Sequence, residues 1–146
     1  MAGQDRGLQA SLQARAGQMG LSSRVSFPGF LDPAGKYSAF AQHDLFLNTT
    51  RIDNMPVCLL EAGAAGLPIV STNAGGIPDL VTHEQSALLV GVDDAKGMAQ
   101  AVMRLLTHPP LAAGLSRGGR ALAERSSLEQ VVPLWDQTFQ TVLHSG

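Results

Sequence analysis

Three short apolar runs constrain this chain more than any other feature: DLFLN (44–48), LPIVS (67–71) and SALLV (86–90). Each is too short to be a helix of its own, and none alternates apolar with polar residues along its length. A strand with one face in water alternates; a strand that is apolar throughout is covered on both faces. RVSF (24–27) is shorter still and leans toward β, giving four candidate strands.

The segments around these runs are patterned as helices. Residues 7–20 space Leu8, Leu12 and Met19 with Ala at 10, 14 and 16, and Gly20 is a stop signal. Asp32 is placed as an N-cap ahead of Pro33, with a helix over AGKYSAFAQ. A further helix is expected over 56–66, with Asn54 near its cap, Pro56 in its first turn and Gly66 at its end. IPDLV follows the Gly75–Gly76 pair as one helical turn. Three helices are expected over 94–107, 110–124 and 127–144, the first two parted by Pro109 and Pro110, the last capped by Ser126 or Ser127. Alternating strands and helices predict a single α/β domain over 1–146, a Rossmann-like parallel sheet with helices on both faces.

Composition narrows the function classes. Formal net charge is −2 with no basic block, which argues against nucleic acid as the main partner. The only cysteine, Cys58, sits in an apolar run, which excludes a disulfide within the chain and fits a small buried side chain. No apolar run reaches about 18 residues, so a soluble cytoplasmic domain is expected. His43, His83, His108 and His144 show no metal-ligand spacing with one another or with Cys58, and no metal is expected.

Two loops fall where ligands bind in such folds, beyond the carboxyl ends of strands. The first, NTTRIDNMP (48–56), leads from a strand into a helix N-terminus, whose N–H groups and dipole suit a phosphate or a sugar hydroxyl. Glu61 lies five residues past Pro56, roughly 7–8 Å along a helix axis. A carboxylate there can take two ribose hydroxyls while the helix end holds a diphosphate. Spacing alone favours the plainer assignment, Glu61 as an exposed helix carboxylate and Asp53 as a loop cap. The second loop, TNAGGIPDL, offers close backbone approach at Gly75 and Gly76.

Taken together, DNMPVCLLEAGAAGLPIVSTNAGGIPDLV resembles the donor-binding half of family-four retaining glycosyltransferases of the GT-B fold. The flanks agree: AGQDRGLQASLQARAGQMGL, RVSFPGFLD and SALLVGVDDAKGMAQAVMRLL resemble that family's Gly-rich opening, its strand and turn, and its closing strand and helix. The resemblance implies catalytic positions at Asp53, facing the donor sugar, and at Glu61, on the ribose hydroxyls. It implies sugar and diphosphate contacts from the main chain of Asn54, Met55, Pro56 and Val57. Gly29, Phe30 and Leu31 would lie beside the nucleobase, and Gly75 and Gly76 would close the site. The donor would be a nucleotide-diphosphate sugar, without a cofactor, and the acceptor a glycan or a lipid-linked saccharide.

The chain also departs from the family's pattern. Asp53 stands where Glu is commoner, Asn-x-Pro where Gly-Phe-Gly is commoner, and Ala87 where Gly is usual. The family's donor domain opens with a strand, a helix and a strand carrying an Arg and a Lys for the diphosphate, and this chain is expected to be N-terminally truncated past them. The acceptor-binding N-terminal GT-B domain, with any peripheral membrane association, is expected to be missing too. Loss of a central first strand would leave a gap or make RVSF pair elsewhere. The expectation is weak donor binding and absent or very slow transfer by this chain alone. Rival readings are a non-catalytic half of a split enzyme and a receiver-type signalling module. The receiver lacks its phospho-accepting Asp, because DLFLN ends in Asn48-Thr49-Thr50.

Overall fold

The structure is a computed structural model that describes residues 1–144. It divides into two compact units, 1–41 and 42–146.

The first unit holds α1 (Gln9–Gln18) and α2 (Pro33–Ala41). Asp5 Oδ1 accepts the N–H groups of Gly7, Leu8 and Gln9 at 2.9, 3.0 and 3.0 Å. These bonds, that of Gln9 foremost, hold the Asp5 carboxyl below the usual carboxylate range. Sequence reading placed no cap there. At α2 it did: Asp32 Oδ1 takes the Gly35 N–H at 2.7 Å, as expected of an N-cap before proline. RVSF is a correction. Residues 24–27 form no strand, although half-buried Val25 and Phe27 alternate with exposed Arg24 and Ser26. The nearby β contact is one isolated bridge, Ala2 to Gly29. A strand needs a ladder beside it, and β propensity does not supply one.

In the second unit the three apolar runs form the sheet as expected, each trimmed at its start. The strands are β1 (Phe46–Asn48), β2 (Ile69–Thr72) and β3 (Leu88–Val90), in the order β1-β2-β3. Both pairings are parallel, with Asn48 opposite Ser71 and Thr72 opposite Val90. The sheet is uninterrupted, and RVSF pairs with none of its strands. All four residues of β2 are buried, so this central strand is covered on both faces. The helices are α3 (Val57–Ala64), the one-turn α4 (Ile77–Leu80), α5 (Ala95–Thr107), α6 (Pro109–Arg125) and α7 (Leu128–Leu143).

The core follows from that layering. Val70 and Leu88 from the sheet meet Ala101 and Leu105 of α5 and Leu115 of α6 in one buried cluster. Leu59, Ala62, Ile69, Ile77 and Val81 are also buried. Helix α3 lies against α6 at Gly63 and Gly119, both buried. A Cβ added to Gly63 would stand 2.6 Å from the Gly119 carbonyl oxygen. The end of α3 is fixed as well. The N–H groups of Gly66 and Leu67 bond back to Gly63 and Ala62, a Schellman motif with Gly66 at φ +80°. Ser116 Oγ donates to the Gly66 carbonyl at 2.6 Å. The turn therefore hands the chain straight into β2 through Leu67 and Pro68. At α5, Asp94 caps the helix by accepting the Gly97 N–H at 2.8 Å. Helix α7 buries none of its residues; Trp135 and Phe139, with ring centroids 5.7 Å apart, are both exposed. No described helix is long and apolar enough to cross a membrane.

Two stability outcomes follow. Gly63→Ala forces α3 away from the Gly119 backbone and costs about 1–3 kcal/mol, measured as a lower urea midpoint. Asp94→Ala leaves the first turn of α5 without its acceptor and costs about 1 kcal/mol in the same assay.

Candidate functional site

The C-terminal edge of the sheet gathers the loops singled out from the sequence. Strand β1 ends at Asn48, whose side-chain amide donates to Ser71 Oγ at 3.1 Å. Beyond it, Thr72 Oγ1 at the end of β2 donates to the Thr50 carbonyl at 2.6 Å. The loop after β1 is thus fastened to the end of β2 by side chains that no sequence pattern marked. Asn48 and Thr72, at the ends of their strands, were the visible trace, and nothing in the sequence specified their partners.

The start of α3 corrects the expected cap. Pro56, not Asn54, is the N-cap, and the helix begins one residue after the proline, at Val57. Its ring fixes φ at −70°, and ψ of 109° keeps it extended. Its carbonyl accepts the Leu59 N–H at 3.0 Å. No side chain caps this helix. The first N–H groups of any α-helix lack partners within the helix, so this end of α3 presents donors to whatever lies before it. Pro56 is buried, while Asn54, Met55 and Val57 are exposed.

Glu61 lies one turn further into α3 and is half-buried, as Asp53 is. Cys58 lies between them in sequence and reports on both. Burial pushes its thiol up, and the negative charges of Asp53 and Glu61 push it further. Both charges thus act on Cys58. A thiol so disfavoured as thiolate is a packing residue and not a nucleophile.

The glycine turn closes on the same loop. The Gly76 N–H donates to the Asp53 carbonyl at 3.0 Å. Both glycines are needed for room, since a Cβ on Gly75 would collide with the Asp53 carbonyl oxygen, and Gly75 is needed for its backbone conformation as well. Gly75 sits at φ +54°, a left-handed conformation, whereas Gly76 is at φ −85°. Gly76 is needed for room, because a Cβ on it would collide with the Asn54 carbonyl oxygen. On the far side, the Asn73 N–H donates to the Val90 carbonyl at 2.9 Å, tying the turn to the end of β3. An exposed ion pair, Arg51 Nε to Asp93 Oδ1 at 2.8 Å, links the loops after β1 and β3. So Asp53, Asn54, Met55, Pro56, Val57, Glu61, Gly75 and Gly76 lie on or against one loop and one helix end.

Gly29, Phe30 and Leu31 belong to the first unit. Gly29 is at φ +75° and its carbonyl accepts the Gly3 N–H at 2.8 Å; Phe30 is exposed and Leu31 half-buried. A groove of about 600 Å³ lies elsewhere, along Lys96, Ala99, Met103 and Thr107 of α5. It has neither carboxylates nor a glycine turn, so its volume does not make it the better candidate. Among the described residues, no three His, Cys, Asp or Glu side chains are grouped to hold a metal ion.

Comparison with known proteins adds the family. The family described as glycosyl transferases group 1 matches residues 1–108. A lipopolysaccharide core biosynthesis mannosyltransferase of Rhizobium meliloti is 30% identical over 125 residues, covering 84% of this chain and 35% of its own length. A D-inositol 3-phosphate glycosyltransferase of Saccharomonospora viridis is 35% identical over 117 residues, 78% of this chain and 26% of its own. The chain thus spans about a third of the length of the curated relatives it matches. Among solved structures, sucrose-phosphate synthase from Thermosynechococcus elongatus superposes with TM-score 0.85 at 22% identity, over 99% of this chain and 38% of that one. Anabaena HepE in complex with UDP-glucose does so with TM-score 0.83 at 24% identity, over 98% and 40%. The likeness gives the α/β fold seen above a place among GT-B glycosyltransferase structures. With a family model matching residues 1–108, the chain belongs to the group 1 glycosyltransferases.

Proposed function

We propose that this chain carries the donor-binding part of a retaining glycosyltransferase. The enzyme would move a hexose-type sugar from a nucleotide-diphosphate donor to a glycan or lipid-linked acceptor. One observation carries the reading: α3 starts uncapped between Asp53 in the loop before it and Glu61 one turn into it, and a glycine turn is hydrogen-bonded to the Asp53 carbonyl. The solved neighbour with UDP-glucose supports the donor class.

Each group has work that its chemistry suits. Glu61 accepts hydrogen bonds from the ribose hydroxyls. The main chain of Asn54, Met55 and Val57 meets the sugar and the diphosphate, with Pro56 contributing only its carbonyl. Asp53 faces the donor sugar, where a negative charge stabilises the positive charge that develops at the anomeric carbon. Gly29, Phe30 and Leu31 are the proposed nucleobase contacts. Gly75 and Gly76 bring backbone close without side-chain bulk. Acceptor binding, with any peripheral membrane contact, belongs to the part of the relatives that this chain does not match, and the proposed setting is the cytoplasm. Transfer by this chain alone is expected to be absent or very slow.

Calorimetric titration of the chain with UDP, GDP and ADP tests the reading. One nucleotide saturates, and Glu61→Ala weakens it about 10- to 100-fold, the worth of hydrogen bonds to a charged group. Equal affinities for all three, unchanged in Glu61→Ala, would remove the donor site from this edge. Gly76→Ala, which drives a Cβ into the Asn54 carbonyl, lowers nucleotide affinity at least as much as Glu61→Ala.

A further inference from the structure

The glycine turn is held from two sides, and the second side leads away from the donor site. Asn73, at the start of the turn, depends on the Val90 carbonyl at the end of β3. Strand β3 is at the edge of its sheet, with β2 as its one strand neighbour. An edge strand leaves N–H groups pointing outward. One of them, that of Leu89, donates to His83 Nδ1 at 2.9 Å. His83 also forms an isolated parallel bridge with Ala87. The imidazole thus stands where a further strand would.

The segment before β3 is built to place that ring. Glu84 takes φ +62°, unusual for a residue with a side chain, and its N–H bonds to the Ala87 carbonyl at 2.9 Å. Ser86 Oγ accepts the Thr82 N–H at 2.9 Å. Glu84 Oε1 then pairs with Arg104 of α5 at 2.7 Å. Two charged groups stand near the ring: Glu84 Oε1 lies 4.0 Å from His83 Nε2, and Arg104 lines the same small cavity as His83.

We propose that His83 is a positioning residue for the glycine turn. Its neutral ring, acting through Leu89, holds β3 where the Val90 carbonyl can take the Asn73 N–H. The acceptor is a nitrogen lone pair, and protonation removes it. The support for the turn is therefore present while the ring is neutral and is lost when the ring takes a proton. The link to nucleotide affinity rests on the donor-site reading; the link to the turn does not.

Amide hydrogen exchange by NMR, corrected to protection factors, tests this on the whole chain. In His83→Ala the protection of Leu89 and of Asn73 falls on the order of fivefold, the usual worth of one hydrogen bond. In His83→Asn the side-chain oxygen replaces Nδ1 as acceptor and restores both. In the unsubstituted protein, protection of Asn73 falls as the His83 ring resonances titrate, and in His83→Asn it stays level over that range. Asn73 protection that ignores both the substitution and the titration would overturn the proposal, even if Leu89 responds. UDP, GDP and ADP affinities are measured over the same range. Failure of all three to bind, with Asn73 still responding, removes the donor-site reading and leaves the positioning role standing.

Discussion

The backbone contact between Gly63 and Gly119 sets where α3 lies against α6. Without a Cβ on either residue, α3 and α6 approach through their main chains. That approach fixes where α3 lies, hence where its uncapped start points and where Glu61 falls along it. The end of the helix is governed by the same pair of elements, since Ser116 of α6 holds the Gly66 carbonyl. A helix pinned at its middle and at its C-terminus can leave its N-terminus unsatisfied. Such an end is costly to bury alone, and it is tolerable here because the exposed loop before it leaves it within reach of water or a ligand.

The sheet was legible in the sequence because its strands are apolar runs, although only β2 is buried throughout: β1 buries none of its three residues and Leu47 is exposed, against the two-sided cover expected of DLFLN. Runs such as LPIVS carry no polar face, so strand, parallel pairing and two-sided cover follow from one observation. The side-chain cap at Asp32 was legible in the sequence, whereas the one at Asp94, which also stands immediately before its helix, was not. Nor was the helix start legible where the cap acts from further upstream, as Asp5 does on α1, or where the helix is left uncapped, as at Pro56. RVSF shows the limit of local pattern: its alternation is real, but strand character is conferred by a partner.

The site divides in the same way. Asp53, Glu61 and the Gly-Gly pair stood out because charges inside an apolar stretch and paired glycines are rare locally. The bonds that assemble them were invisible. Thr72 to Thr50, Gly76 to Asp53 and Asn73 to Val90 each join residues 17 to 23 positions apart, and most use backbone groups, which every residue carries. Specificity for a nucleobase or a sugar read by main chain hides in the same way, in conformation and not in composition.

The absence of aromatic rings from the core has a practical side. The buried apolar side chains named above are leucines, isoleucines, valines and alanines. The sole tryptophan, Trp135, rides on the outside of α7, and the sole tyrosine, Tyr37, is exposed on α2. Intrinsic fluorescence therefore watches the periphery of the molecule. A melt followed by tryptophan emission records the loosening of the last helix, while the sheet and its loops come apart without a fluorescence signal. Backbone dichroism sums all the helices, and a difference between the two midpoints measures how far the last helix is uncoupled from the rest.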